Sequence, residues 1–265
     1  MPAYRVAYDG RPFHGFQRQP DVATVEDTLF DGLRELGLSF DDAPEGYAAA
    51  GRTDAGVSAL AQTVAFEAPD WLDPPAFTAQ LPESIQVWAS AAVPAGFHAT
   101  HHARSREYTY HLHAPRAEGR RVEQVEWALS GEHDFHNLSA DDEGTVRDLE
   151  LAISPVGDYL EIRARADGFP RQLVRRLVSL IDAVVCGDEP MDRIPQLLGP
   201  ESVDGPDGIP PAPAYPLVLT DVVYDECDFD PDPEAANAAR DRFADLATTH
   251  RTRARVAETI ARGIE

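Results

Sequence analysis

The hexapeptide Gly51-Arg52-Thr53-Asp54-Ala55-Gly56 sets an arginine two residues from an aspartate, inside the run YAAAGRTDAGVSALAQTVAFEA over residues 47–68. A carboxylate beside a guanidinium is stabilised as the anion. Flanking glycines permit tight turns and let a ligand approach the backbone. An ionised aspartate in a site that excludes water can act as nucleophile or base. The same features also describe an ordinary surface turn with an Asp–Arg pair. The histidines, among them His101, His102, His111, His113 and the HDFH run at 133–136, lack the full spacing of a zinc motif. They read as polar strand or loop residues, and no metal is expected. No GxxxxGK[ST] loop is present, which argues against NTP-driven chemistry.

The elements that must position this loop follow from pattern. AYRVAY, residues 3–8, alternates as a strand, and the Gly- and Pro-rich DGRPFHGFQRQP after it reads as a loop. Thr24 precedes Val25, Leu29, Leu33 and Leu36 at helical spacing, with Asp27 three residues on as a capping box. QTVAFEA and IQVWASAAV read as strands, and DPPAFTAQLP as a short helix started by prolines. In the second half, EYTYHLHA reads as a strand and residues 119–129 as a helix. TVRDLELAISPVGDYLEIRARA reads as a hairpin. PRQLVRRLVSLIDAVVCG is the strongest helix, with Leu173, Leu177, Leu180, Ile181 and Val184 as its apolar stripe. Residues 199–216 read as a loop, LVLTDVVY as a strand, and the stretch from Pro233 as helical with mixed charge. Strands and hairpins interleaved with helices predict an α+β fold. Rough repetition predicts two similar domains, 1–100 and 101–265, each a mainly antiparallel sheet covered by helices.

The chain has 265 residues, 46 acidic against 23 basic, with every basic residue an arginine, for a net charge of −23. Residues 221–235 hold seven acids and no base, whereas residues 101–121 and 161–176 each hold five arginines and two acids. Basic islands in an acidic chain keep a nucleic-acid partner open despite the overall charge. The acidic, lysine-free composition suggests a cytoplasm of very high salt. Phosphate contacts weaken as salt rises, so a nucleic-acid partner would have to be held largely by shape fit, stacking and hydrogen bonds. No apolar run approaches the roughly 20 residues needed to span a bilayer, and the N-terminus does not read as a signal peptide, so a cytoplasmic location is expected. Cys186 and Cys227 read as reduced thiols.

AGRTDAGVSALAQ resembles the catalytic motif of the tRNA pseudouridine synthase A family, in which G-R-T-D-A-G-V is close to a signature. AYDGRPFHGFQRQPDVATVEDTL, FHATHHARSREYTYHL and GFPRQLVRRLVSL resemble further segments of that family, in order, over residues 3 to about 225. The resemblance implies a cofactor-free isomerisation of uridine to pseudouridine in tRNA, at anticodon stem-loop uridines, by a homodimer with its active-site cleft between two domains. It makes Asp54 the catalytic aspartate, Tyr108 of SREYTY the residue that packs on the target base, and Arg175 of LVRR the partner of the carboxylate. Arg52 is expected to reach a phosphate rather than Asp54, and Arg18, Arg104 and Arg106 to contact RNA phosphates. Arg176, about 100° round the helix from Arg175, is expected at the surface. Ser58 stands where the family usually has histidine, Thr100 where it has arginine, and Leu173 where methionine is common. The acidic C-terminal tail after about residue 230 has no clear family counterpart and no assigned role. A non-catalytic RNA-binding module, which would not need Asp54, and an acidic interaction protein are the competing readings.

Overall fold

The computed structural model describes residues 1–203 and 208–264. The four residues 204–207 of the loop expected over 199–216 therefore lie outside the described residues.

The first half contains β1 (Pro2–Tyr8), α1 (Val25–Glu35), β2 (Ala48–Ala49), β3 (Ser58–Ala65), α2 (Pro74–Thr78) and β4 (Ile85–Ala92). Thr24 caps α1 as its sequence predicts: its hydroxyl accepts from Asp27 N at 3.2 Å and donates to Asp27 Oδ2 at 2.8 Å. Val25, Leu29, Phe30 and Leu33 bury the inner face of that helix. β3 begins four residues earlier than QTVAFEA suggested, because Ser58-Ala59-Leu60-Ala61 already pairs with its neighbours.

The second half contains β5 (Ala103–His113), α3 (Gly119–Leu129), β6 (Gly131–Asp134), β7 (Val146–Val156), β8 (Tyr159–Ala166), α4 (Leu173–Val185), α5 (Arg193–Leu197), β9 (Leu217–Tyr224), β10 (Asp230–Pro231) and α6 (Pro233–Arg262). α4 starts three residues after Pro170, since Gln172 takes φ +64° and its left-handed backbone interrupts the helix there.

Among the described residues the strands form one sheet in the order β10-β4-β1-β3-β9-β5-β8-β7-β6, with β2 paired to β3. The pairings are antiparallel except for β3 and β9, which run parallel through Ser58↔Val218 and Ala59↔Leu219. That short parallel contact joins the two halves. One core gathers Tyr4, Val6, Phe66 and Phe77 with α1, and takes Leu219, Val222 and Tyr224 from β9. The other gathers α3 and α4 on β5, β7 and β8. α6 packs back onto β4 in the first half. The architecture is α+β with a mostly antiparallel sheet. Among the described residues no helix is long and apolar enough to cross a membrane.

Candidate active site

Asp54 lies in the loop between β2 and β3, and three neighbours hold that loop. The segment after β1 braces it from one side. Tyr8 Oη and Thr53 Oγ1 are 2.8 Å apart, Phe16 N donates to Thr53 O at 3.0 Å, and Gly56 N donates to Phe13 O at 3.2 Å. Gly10 N donates to the Ser58 hydroxyl at 3.0 Å, so serine at this position ties the two segments together. Approach here requires glycine: a Cβ on Gly10 would stand 2.0 Å from Val57 O. Gly15, at φ +100°, would place one 2.9 Å from Thr53 O.

β5 supplies the second brace. Arg106 Nε and Nη2 donate to Ala50 O at 3.0 and 2.7 Å, Nη2 also to Thr100 O and Nη1 to Asp167 O, both at 2.7 Å. Four of its five N–H donors are engaged by backbone carbonyls, so Arg106 fixes the Asp54 loop and keeps one Nη1 hydrogen for the phosphate contact expected of it. Thr100, standing where arginine was expected, donates to Ala49 O at 2.5 Å. Within β3, Gln62 Nε2 donates to Gly51 O at 2.8 Å.

The third neighbour is α4. Arg175 Nη1 donates to Asp54 Oδ2 at 3.0 Å, and Arg175 Nε donates to Ala212 O at 2.7 Å. The Arg175 side chain is 17% exposed against 39% for Asp54, so the carboxylate keeps an open side while its cation is held from behind. Arg176 is half-buried rather than free at the surface, because it donates to Ile209 O at 2.9 Å and so ties that residue to α4.

Tyr108 projects from β5 and meets Phe169 edge-on, with centroids 5.3 Å apart at 87°. Burial pushes its phenol up to about 12. Asp54, Tyr108, Arg175, Arg52 and Arg106 all border one cleft of about 820 Å³. Pockets of roughly 300–1,000 Å³ hold small molecules or a flipped nucleotide. Arg52 is exposed and makes no hydrogen bond or ion pair among the described residues, whereas Asp54 is paired by Arg175.

Arg18 and Arg104 lie outside that lining. Arg18 pairs with Asp27 and Asp42, both at 3.0 Å, and its guanidinium lies 5.4 Å from the Phe30 ring centroid. Arg104 pairs with Asp225 at 3.2 Å on the surface. The cleft also contains residues not expected there: Phe169, and the rings of His98 and His101, 4.1 Å apart. Burial and the neighbouring imidazoles of His101 and His102 push His98 below its ordinary value. The available signal was their place in FHATHH, just before the Tyr108 strand. No group of three or more His, Cys, Asp or Glu among the described residues is placed to hold a metal. Cys186 and Cys227 are free thiols.

Comparison with known proteins bears on this geometry. The family described as tRNA pseudouridine synthase matches residues 127–225. A protein of Haloarcula marismortui named tRNA pseudouridine synthase A is 54% identical over 100% of both chains. One of the same name from Halobacterium salinarum is 55% identical over 98% of each, and one from Methanosarcina mazei 38% identical over 84% of each. The C-terminal tail expected to lack a counterpart is therefore matched in the Haloarcula protein. The similarity to proteins of salt-adapted organisms accords with the acidic, lysine-free composition.

Proposed function

The chain belongs to the tRNA pseudouridine synthase A family, and from that premise we propose that it isomerises uridine to pseudouridine in the anticodon stem-loop of tRNA, around positions 38 to 40. The C1′–N1 bond breaks, the base turns, and C5 joins C1′. C5 loses a proton and N1 gains one, so product and substrate are isomers and no redox partner is required. A base within a stem must first leave the stack to be reached. One observation supports the reading most: the Asp54 carboxylate faces the cleft with Arg175 Nη1 3.0 Å behind it, beside the Tyr108 ring.

In this reading Asp54 acts on the extruded nucleotide. Tyr108 packs on its base, and Arg175 orients the carboxylate and balances its charge. Arg52, having no partner among the described residues, takes a phosphate. Arg104 and Arg18 exchange their surface carboxylates for phosphates as RNA arrives. Residues 1–100 bring Asp54 and residues 101–265 bring Tyr108 and Arg175, with β10 and α6 of the latter lying against β4 of the former. The enzyme works in the cytoplasm as a homodimer, which joins basic islands of two chains into one RNA surface.

The test uses unmodified tRNA in molar KCl with the wild type and with Asp54→Ala. Pseudouridine is mapped by chemical adduct and primer extension. The expected result is product in the anticodon stem-loop with the wild type alone. A folded wild type that binds tRNA and makes no product would overturn the reading in favour of a binding module.

A further inference from the structure

α6 outruns the body it packs on. Its first half rests on β4: Asp232 N donates to Trp88 O at 3.0 Å, Ala235 and Ala239 are buried, and Arg242 pairs with Glu83. These contacts step from Trp88 to Glu83, toward the end of the sheet where β1 finishes and β3 begins. His250 follows. Burial works to raise the Asp9 carboxyl, yet the hydrogen bonds and charge of Arg11, with the charge of His250, hold it below its ordinary range. Asp9 and Gly10 open the segment that braces the Asp54 loop. The helix thus leaves the body at the end of the sheet that carries the catalytic loop.

Beyond His250, residues 251–264 are all exposed. Their hydrogen bonds and ion pairs, among the described residues, stay within the helix. At 1.5 Å per residue, the free stretch 251–262 projects about 18 Å. It holds four arginines against one glutamate, in a chain of net charge −23. At 100° per residue Arg251, Arg255 and Arg262 fall within an arc of about 40°. Glu258 shares that face and meets Arg255 only at 3.7 Å. Val256 and Ile260, 56% and 59% exposed, lie on the opposite face.

We propose that residues 251–262 form an arm whose Arg251, Arg255 and Arg262 face takes backbone phosphates of the tRNA held in the cleft. The proposal rests on the tRNA pseudouridine synthase reading. Planar guanidinium forks suit phosphate oxygens, and phosphate contacts position an RNA without reading its sequence. A second copy of the chain would instead be drawn to the opposite face, where Val256 and Ile260 stand.

The experiment compares full-length wild type, the triple variant Arg251→Gln/Arg255→Gln/Arg262→Gln and the double variant Val256→Ser/Ile260→Ser. Circular dichroism checks that the helix persists. Filter binding of unmodified tRNA over a KCl series gives Kd and its salt slope, single-site kinetics give kcat, and light scattering gives mass. For the triple variant, loss of up to three phosphate contacts should raise Kd about tenfold and flatten the log–log salt slope by about 2 to 3. Its kcat at saturating tRNA should match the wild type, and its mass should not change. An unchanged Kd and slope would overturn the arm. So would dissociation of a two-chain species by the double variant while the triple variant binds tRNA normally, which would assign the arm to a second copy. A wild type that binds tRNA but yields no pseudouridine defeats the enzymatic reading, and the same binding curves then still judge the arm.

Discussion

Arg175 makes two bonds in two directions, Nη1 to Asp54 and Nε to Ala212 O. A lysine's donors radiate from one nitrogen and cannot reproduce the spacing of the planar fork, so the conservative exchange is not conservative here. Arg175→Lys and Arg175→Gln should each lower kcat by about 10²-fold, the scale of losing one fixed electrostatic partner at a reacting centre, and move KM little. A fall confined to KM in steady-state kinetics would reassign Arg175 to substrate binding. In the proposed role Tyr108 works through its ring and not its hydroxyl. Tyr108→Phe should keep activity within a few-fold. Tyr108→Ala should lose about 1–3 kcal/mol of interaction with the target base, measured as kcat/KM. Asp54, Tyr108 and Arg175 could be named before any coordinates because each sits in a short run of distinctive types, and the fold brings all three to one cleft. Arg106 has a second task that its sequence hides: an arginine on a strand next to a glycine-rich loop looks like a phosphate ligand and nothing more. Only the fold reveals that three backbone carbonyl groups have already claimed its guanidinium.

At the scale of elements, the catalytic loop is held by close approach more than by its own turn. Gly10→Ala drives a methyl into Val57 O, a clash of backbone with backbone that no rotamer change relieves. The expected cost is about 1–3 kcal/mol, the range for overpacking, seen as a lower Tm and a loss of pseudouridine product larger than the loss of tRNA binding. The sequence made α1, α3, α4 and β9 visible through period and caps, since local chemistry decides them. α3 spans the expected 119–129, and β9 the expected LVLTDVVY. The short strands β2, β6 and β10 stayed hidden, because two to four residues carry no period and exist only through their partners. The parallel register of β3 with β9 was hidden too: strand pairing across 160 residues leaves no local trace.

For the whole molecule, six of the eight tyrosines carry a phenol raised above its ordinary value. Tyr108, Tyr110 and Tyr224 are pushed up to about 12, and Tyr4, Tyr8 and Tyr47 are raised further, in every case chiefly by burial. A folded-state pKa above the unfolded value of 10 means that stability is complete below pH 10. It declines as the unfolded chain ionises and the folded one does not, by about 1.4 kcal/mol per tyrosine per pH unit. Urea unfolding at pH 8, 9, 10 and 11 should show a plateau followed by a steep fall. A steady decline beginning at pH 8 would assign alkaline instability to other groups. The position of β9 has a consequence for how the protein is made. Residues 217–224 are inserted between β3 and β5, and Arg5 reaches Val222 O across 217 positions of chain. While a nascent chain extends no further than residue 216, β3 and β5 are both open strand edges, and the Asp54 loop and α4 with Arg175 are carried by pieces of sheet not yet joined. The two faces of the cleft can therefore be brought together only once residues 217–224 have left the ribosome.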